Sequence, residues 1–546
     1  MENTKLWQLY RSACQRLLNE QDRNRHSLTF GCFDRRHWGW KLVDYAESTF
    51  QRGVYPLAWW LKQDDALSSE ARQVLSDSVI AGLLFSATIQ HKDGSFDQAF
   101  PHEHSFGATA FLLHPLIYAY RVIKSELSSS QARQVETMLK RAAAFLCGHN
   151  ETHGVISNHL AGAVLSLYEA TELFSEPKYA AEANALLTDI LNHQSSEGWF
   201  MEYDGADPGY QTLCMYYLAQ VHRICPSDER LLPALQRSVE FLSFFIHPDG
   251  TFGGEYGSRR TAVYYPGGLS LLSPEIDVAR SMTCFMQDSI LDGRTLNPTH
   301  VDIGNLAPLL SNYALLLEAG IENGDVLRKL PCQATEIIQD FPQAGLHIRS
   351  TARYYAVFGS SNGGVLKVFG MPDKNLLWND AGYIGELVNG KFITTQMTDT
   401  NRVYNISAQE ISLQVPFYDM PRSLPGPFQF ILLRILNVTI MRNIFLGNLA
   451  KSLLVKLLIR SRSRTPLSLT RKIFFRQDQV EVQDEIRMSR PVRLKRLEYA
   501  RPFVSIHMAS AGYFENFETA SSLLKGVEVP VNELMSNGVL ERRVVV

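Results

Sequence analysis

Hydrophobic residues recur every three or four positions through most of the first 335 residues, which is the spacing of amphipathic helices. A stretch that resembles a capping box, Ser69 to Arg72, stands near the start of one of them. The spacing predicts helices over residues 68–90, 129–146, 157–174, 177–193, 209–223, 229–246, 275–291 and 303–320.

Short turns that combine glycine with an aromatic residue or histidine separate these helices. They are HWGW, DGSF, CGHN, EGWF and DGTF, with Gly39, Gly94, Gly148, Gly198 and Gly250. Successive glycines lie about 50 to 55 residues apart, which is enough for two helices and two turns. Helical hairpins of this period stack into an open solenoid or a closed ring. In a ring, these turns would surround a central cleft at one end.

The period changes from helical to twofold alternation after about residue 340. Alternating residues with Gly, Pro and Asn-Asp turns occupy 345–397, and alternation returns at 471–506. We therefore predict a helical domain over 1–335 and an antiparallel, β-sandwich-like domain over 336–546.

A basic helical insert is predicted at 420–470, between the two strand regions. From Met420 to Gln477 there is no Asp or Glu, but there are eleven Lys or Arg. Its apolar runs are too short to span a membrane. One interpretation is an amphipathic helix that contacts an anionic membrane through 428–464. The other is a helical hairpin packed over a sheet with its cations facing water.

Charge and cysteine content narrow the choice of partners and compartment. The net charge is −3 at pH 7, so an anionic ligand needs a local cluster of cations, and we expect no nucleic-acid partner. The seven cysteines are scattered without a CxxC pair, which argues against a disulfide framework. The N-terminal residues lack an apolar signal core. We therefore expect a cytoplasmic protein, peripheral to the inner membrane if the insert touches lipid.

Two polar clusters begin consecutive predicted helices. The first is Ser157-Asn158-His159, and the second runs from Glu202 through Tyr203, Asp204 and Asp207 to Tyr210 and Gln211. A ring would bring both clusters to one rim, and helix N-termini add partial positive charge for an anionic substrate.

An Asn-His pair at a helix start, followed about fifty residues later by an acidic loop ending in Tyr, resembles the heparinase II/III and alginate-lyase group. Members of that group have an α/α-toroid followed by a β-sheet domain, and this order matches nearly the whole chain. The resemblance implies a lyase that cleaves a uronate polysaccharide by β-elimination. It also implies that Asn158 neutralises the uronate carboxylate, while His159 and Tyr210 act as base and acid.

The chemistry explains these residue types. The proton beside a carboxylate is weakly acidic, so donors must first neutralise that carboxylate and then hold the developing charge. A base takes the proton and an acid protonates the leaving oxygen. Arg259, one repeat further on, is predicted as a catalytic carboxylate clamp. Substrate-binding residues are predicted to be His102, His104, Glu202, Tyr203, Gln211, Arg260 and Tyr264.

Two features depart from the family pattern. Gln211 follows the key tyrosine, where alginate-lyase relatives commonly have His. Metal-containing relatives have a histidine-centred zinc site in the β domain, whereas His347 and His507 stand alone here. We therefore expect no metal and no cofactor.

Other functions remain open on the sequence. An α/α-toroid glycoside hydrolase needs two carboxylates across the scissile bond, for which Glu202, Asp204, Asp207 and Glu255 are candidates. A terpenoid-cyclase-like toroid is disfavoured, because no DxDD-type motif is present and the β-rich half does not belong to that group. A non-catalytic glycan-binding protein of a polysaccharide assembly system is a third alternative, since fold does not fix function.

Overall fold

A computed structural model describes residues 2–151, 156–203, 205–321, 328–399, 403–420, 426–443, 446–447, 449, 463–499 and 527–546. The helices of the N-terminal part are α1 (Glu2–Glu20), α2 (Arg35–Trp38), α3 (Val54–Gln63), α4 (Ser69–Ile89), α5 (Phe106–Ile123), α6 (Ser129–Gly148), α7 (Ser157–Phe174), α8 (Pro177–Asn192), α9 (Pro208–Ile224), α10 (Leu231–Ser243), α11 (Gly267–Leu272), α12 (Asp277–Leu291) and α13 (Ile303–Ala319).

These helices form a closed double ring. The inner helices α3, α5, α7, α9, α11 and α13 contact one another in that order, and α13 contacts α3 to close the circle. Helices α1, α4, α6, α8, α10 and α12 pack outside them. The inner helix α5 is apolar and long enough to cross a membrane, but most of it is buried inside the ring. The predicted α/α-toroid is therefore confirmed, in its closed form.

Each predicted helix is present with ends that differ by a few residues, and some helices were missed. Ser68, not Ser69, caps α4, because its side chain accepts from the Ala71 amide. The periodic analysis did not predict α1, α3 and α5. Helices α3 and α5 are buried nearly all round, so they lack the polar face that reveals a helix in sequence.

The repeat glycines fall into two groups. Gly94, Gly198 and Gly250 have φ near +90° in equivalent turns, where each amide donates to a carbonyl three residues back. Gly39 and Gly148 adopt ordinary negative-φ conformations instead, so they do not belong to this turn class. Gly31, which the sequence pattern overlooked, has φ +94°, and a Cβ there would lie 2.1 Å from the Ala81 carbonyl oxygen.

The chain enters every inner helix from the same end of the ring. The loops before α5, α7, α9 and α11 are longer than those at the opposite end, and they form one rim. This rim carries all of the polar clusters that the sequence singled out.

Two antiparallel sheets follow the toroid. The first has the order β1-β2-β3-β4-β5. The second has the order β13-β12-β6-β7-β9-β10-β11-β14, with β8 paired to β9. The strands are β1 (Ile337–Phe341), β2 (Leu346–Ser350), β3 (Tyr354–Gly359), β4 (Val365–Gly370), β5 (Leu376–Asp380), β6 (Tyr383–Leu387), β7 (Phe392–Thr394), β8 (Val403–Ile406), β9 (Glu410–Met420), β10 (Arg464–Phe475), β11 (Val480–Met488), β12 (Leu494–Tyr499), β13 (Val527–Glu528) and β14 (Val539–Val545).

The first sheet lies between the toroid and the second sheet. Along β3, Tyr355 and Val357 pack into the toroid core, while Tyr354, Ala356 and Phe358 pack against the second sheet. Because successive strand residues point to opposite faces, this strand is buried throughout. The predicted antiparallel β-sandwich-like domain is confirmed, and its first sheet shares one continuous core with the toroid.

The basic insert is only partly described. Helix α14 (Pro427–Val438) is one part of it, and β10 already begins at Arg464, before the predicted end of the insert at 470. Arg434 bonds to Asp44 at 2.7 Å and stacks over Tyr45, so α14 lies against the toroid rim rather than over a sheet. Residues 450–462, which hold four of the predicted cations, lie outside the described residues, as do 500–506 and His507.

Candidate functional site

Three consecutive loops of the rim are joined by backbone hydrogen bonds. An isolated β-bridge pairs Ile156 with Glu202, and the Ser157 hydroxyl donates to the Met201 carbonyl at 2.7 Å. The Ser258 amide donates to the Ala206 carbonyl at 2.9 Å, which adds the third loop. The start of α7 is therefore held beside the loop before α9.

Asp207 fixes the corner between the second and third loops. Its carboxylate caps α9 by accepting from the Tyr210 amide at 3.0 Å, and it also accepts from the Arg259 amide at 2.8 Å. The side chain is fully buried, and burial raises the pKa of Asp207. Asp207 thus acts on the site through the backbones of Tyr210 and Arg259.

Asn158, Glu202 and Arg259 form a buried polar cluster on this framework. The Asn158 Nδ2 donates to Glu202 Oε2 at 2.5 Å, and Arg259 Nη1 donates to Glu202 Oε1 at 2.7 Å. The three side chains are 0%, 3% and 7% exposed. Asn158 Oδ1 and Arg259 Nε make no hydrogen bond to any described residue, so the cluster keeps one unused acceptor and one unused donor.

Two tyrosines flank the Arg259 guanidinium. Its carbon lies 4.3 Å from the ring centre of Tyr203 and 4.4 Å from that of Tyr210. Arg259 Nη2 also donates to the Tyr210 hydroxyl oxygen at 3.3 Å. A cation in this position stabilises any negative charge that develops on Tyr210.

Glu202 titrates near neutrality. Burial raises its pKa to about 7, against the opposing effects of Arg259 and His159, and the nearby Asp207 adds to the rise. Burial also raises the pKa of Tyr203, to about 12. A perturbed carboxyl group in a loop cluster of this kind is typical of functional sites.

His159 lies next to the cluster and is oriented by Glu151. The two side chains are joined at 2.6 Å between Nδ1 and Oε2, and His159 remains 21% exposed. The Phe111 and His159 rings contact each other edge to face, with their centres 4.9 Å apart. The Arg52 guanidinium lies over the Phe111 ring, 5.8 Å from its centre. The sequence analysis did not identify Glu151 or Arg52, since neither stands in a recognisable motif.

Three of the predicted substrate-binding residues lie away from this cluster. The buried Arg260 donates to Asn362 Oδ1 at 2.8 Å, at the junction with the first sheet. Gln211 donates to the Ser238 hydroxyl at 2.6 Å, between helices. Tyr264 is buried against Phe252, with ring centres 5.2 Å apart. Arg259 and Arg260 point apart because Arg260 adopts φ +57° and turns the backbone away.

His102 and His104 lie on the neighbouring loop of the same rim, before α5. Gly107, three residues after His104, packs against His159, and a Cβ there would lie 2.6 Å from the His159 Nδ1. The two histidines are accompanied by His91, which the sequence analysis did not consider.

Two of the described acids proposed for a hydrolase, Asp207 and Glu255, are engaged in other contacts. The Asp207 carboxylate accepts hydrogen bonds from backbone amides. The Glu255 carboxylate pairs with Lys367 at 2.8 Å, at the junction between the domains. Asp204 lies outside the described residues. Within the described part of the rim, Glu202 is therefore the one of these acids that faces the candidate cluster.

Comparison with known proteins finds similarity to polysaccharide lyases. Residues 49–269 match the family model of the ulvan lyase N-terminal domain. The structure of the Streptomyces coelicolor A3 chondroitin AC lyase in complex with chondroitin sulphate is similar, with TM-score 0.53, 11% identity, and coverage of 91% of this chain and 67% of that chain. Heparinase III gives a TM-score of 0.45 at 9% identity, covering 91% and 78%. No curated protein sequence matches the chain significantly.

The domain match covers the rim loops up to α11, including Asn158, Glu202, Tyr210 and Arg259. At 11% identity the chondroitin AC lyase shows the shared fold alone. The match over residues 49–269 and the shared fold support the predicted polysaccharide lyase family with an α/α-toroid and a β domain. The family model that matches is that of an ulvan lyase, not of heparinase II/III.

Proposed function

We propose that this chain, a polysaccharide lyase by family and fold, cleaves a uronate-containing acidic polysaccharide by β-elimination. One observation carries the proposal: Arg259 touches both the Glu202 carboxyl and the Tyr210 hydroxyl, with Asn158 on the same carboxyl. A carboxylate-binding group and a proton-transfer group therefore stand side by side. The names of the matching family and of the similar structure, which include ulvan and chondroitin sulphate, support an anionic polysaccharide substrate.

In this mechanism the substrate carboxylate binds against Asn158, Glu202 and Arg259. Because the pKa of Glu202 is about 7, the protonated acid can donate a hydrogen bond to the substrate carboxylate. Arg259 supplies positive charge and its unused Nε–H. These donors would hold the negative charge that moves onto the carboxylate when the neighbouring carbon loses its proton.

His159 and Tyr210 divide the proton transfers. His159, oriented through Nδ1 by Glu151, presents its Nε2 as the base that takes the proton beside the carboxylate. The bond to the leaving glycosidic oxygen then breaks, and Tyr210 donates its proton to that oxygen. Arg259 stabilises the phenolate that remains until a proton returns from solvent. The products are one fragment with a new reducing end and a second fragment whose new non-reducing end carries a carbon–carbon double bond conjugated to the carboxylate.

Ultraviolet absorbance of the conjugated product tests the reaction. Purified protein is incubated with ulvan, chondroitin sulphate, heparan sulphate and alginate, together with Asn158→Ala and Tyr210→Phe. Tyr168→Phe, at the opposite end of α7, is the matched control. We expect absorbance to rise with wild type and the control on at least one polymer, and not with the two site variants. New reducing ends without absorbance would instead identify a hydrolase.

We further propose that α14 contacts an anionic membrane at the cytoplasmic face, because its apolar residues face solvent. Phe428, Ile431 and Ile435 are 85%, 56% and 53% exposed, and Asn437 is the only buried residue of this helix. Such a face beside a segment rich in Lys and Arg is typical of helices that lie in the interface of a lipid bilayer.

Vesicle sedimentation tests this contact. Wild type should sediment with phosphatidylcholine vesicles that contain phosphatidylserine, and less with phosphatidylcholine alone. The double variant Phe428→Ser and Ile435→Ser should stay in solution, whereas Val388→Ser, an exposed apolar residue of the β domain, should behave as wild type. Equal sedimentation of all three proteins would exclude α14 as the contact.

A further inference from the structure

Three histidines of the rim converge on one point. The ring centres of His91 and His104 lie 4.3 Å apart, those of His91 and His102 5.4 Å, and those of His102 and His104 6.4 Å. One ring nitrogen from each of the three lies within 4.8 Å of the others. Three imidazole nitrogens this close together form a donor set that a metal ion can use.

Two carboxylates pair with two of the three histidines. Asp97 Oδ2 lies 2.8 Å from His91 Nε2, and Asp93 Oδ2 lies 2.7 Å from His104 Nδ1. These contacts leave the second nitrogen of each ring directed elsewhere, and His104 Nε2 is buried without a hydrogen bond to any described residue. A carboxylate on the far nitrogen of a ligating histidine is the usual support of a protein metal site, because it fixes the tautomer and the ring orientation.

The loop backbone is bent to bring the rings together. His102 and His104 both adopt left-handed conformations, with φ +58° and +52°. The Asp97 carboxylate maintains this bend by accepting from the amides of His102, Glu103 and His104 at 2.8 to 3.0 Å. Left-handed conformations are unfavourable for these residues, and such strain concentrates at functional sites.

We propose that His91, His102 and His104 bind a divalent transition metal ion, with zinc the best match to three imidazoles. Zinc–nitrogen bonds of about 2.0–2.1 Å place ligand nitrogens roughly 3.4 Å apart, so small side-chain rotations complete the site. Three protein ligands leave a fourth position for water or a substrate oxygen. The expectation of no metal rested on His347 and His507 in the β-rich half, whereas this site lies in the toroid.

The metal would fix the rim loop before α5 beside the candidate cluster. The loop is also anchored at its other side, since the Ser48 amide and hydroxyl both donate to the Asp97 carbonyl. Because Gly107 packs against His159, the loop position determines one wall of the cleft. The metal site stands independently of the lyase proposal, since neither binding nor its test requires turnover.

Metal content of untagged protein tests the site. Protein is incubated with zinc, dialysed and assayed by mass spectrometry, and wild type should retain about one zinc per chain. His102→Ala removes a ring that makes no hydrogen bond to the described residues, so the loop should still fold and zinc should fall at least tenfold. His193→Ala is the matched control, because His193 also pairs with an aspartate, Asp189, at 3.2 Å but outside the cluster.

Two further measurements remove the ambiguity of a misfolded variant. Zinc should raise the melting temperature of wild type and of His193→Ala but not of His102→Ala, and cobalt should give the visible absorption of a tetrahedral site in the first two proteins only. Absence of zinc from wild type, or its full retention by His102→Ala, would overturn the proposal. His91 and His104 would then be only carboxylate-paired side chains of the rim, with His102 packed beside them.

Discussion

Two buried clusters of arginine and carboxylate, one in each domain, differ in their balance of positive and negative charge. In the β domain, Arg471 bonds to Asp484 at 2.7 and 2.9 Å and to Asp380 at 2.8 Å, and Arg542 adds a second cation to Asp484. In the toroid, one cation, Arg259, faces both Glu202 and Asp207.

The balance decides how the carboxyls titrate. Burial alone would raise the pKa of Asp484, but Arg471 and Arg542 hold it below the ordinary value. The positive charge near Glu202 is too small to offset the effect of burial, which raises the pKa of Glu202 to about 7. Asp484 therefore stays ionised at neutral pH, as expected of a structural ion pair. The toroid cluster can change its protonation at neutral pH, which a substrate site can use.

The largest effect is expected from Tyr210→Phe. Loss of the proton-transferring hydroxyl should lower kcat by about 10²–10⁴-fold. Tyr210 is only half-buried at the rim, so the free energy of unfolding should change little. Initial rates on the cleaved polymer and urea unfolding measure the two quantities. A comparable loss of stability would place Tyr210 among structural residues.

Arg471→Met should show the opposite pattern. Breaking a buried ion pair by removing one partner costs about 3–5 kcal/mol, because Asp380 and Asp484 remain buried with too little positive charge. We expect a lower urea midpoint and an unchanged kcat per folded molecule. Lys472→Met, the exposed neighbour on the same strand, controls for the loss of a cation. A kcat loss at full stability would contradict the structural assignment.

The adjacent arginines Arg259 and Arg260 allow a finer test. Arg260→Met should cost about 1–3 kcal/mol of stability, since it leaves Asn362 and the Gln396 carbonyl without this donor. Its kcat per folded molecule should be unchanged, whereas Arg259→Met should lose activity. If Arg260→Met chiefly raises KM, the sequence-based prediction that Arg260 binds substrate would be supported.

The most gradual effect concerns the pH dependence of Glu202. Its folded pKa is raised, so the folded protein binds more protons than the unfolded chain between about pH 4.5 and 7. The stability contributed by this proton is present at low pH and lost as the pH rises through 7. Relative to Glu202→Gln, wild type should therefore lose up to about 1.4 kcal/mol per pH unit in this window.

The same titration should appear in substrate binding. Above pH 7 the ionised Glu202 repels a uronate carboxylate, so KM of wild type should rise with pH while that of Glu202→Gln stays flat. Chemical unfolding and KM, each measured between pH 5 and 8.5, test both statements. Parallel curves for the two proteins would show that Glu202 does not titrate in this range.

Much of the fold could be predicted from the sequence because its signals are local. Amphipathic outer helices such as α6, and strands such as β10, carry their period in the chain itself. The same analysis missed α3 and α5, since burial on every side erases the period. It also placed Gly39 and Gly148 in the repeat and overlooked Gly31, because a short motif does not reveal backbone conformation.

The candidate site likewise contains residues that the sequence could identify and residues that only the structure reveals. Asn158, His159, Glu202, Tyr210 and Arg259 stand in motifs of the rim loops and of the helix starts that follow them, and the ring brings their side chains into one neighbourhood. Glu151, Arg52 and His91 carry no motif and become visible only through their neighbours. Arg260, Gln211 and Tyr264 lie one residue or a few residues from site positions, yet their side chains turn into the core.

The sequence by itself determined the elements and their order: helical hairpins with a period near fifty residues, then alternating strands with a basic segment between them. It also determined which residue types occupy the rim loops. Tertiary structure alone decided that the ring closes, which loop side chains face one another, and which carboxyl remains uncompensated. The reason is physical, because helix and strand periods act over a few residues, whereas burial, charge balance and the convergence of three histidines depend on segments far apart in the chain.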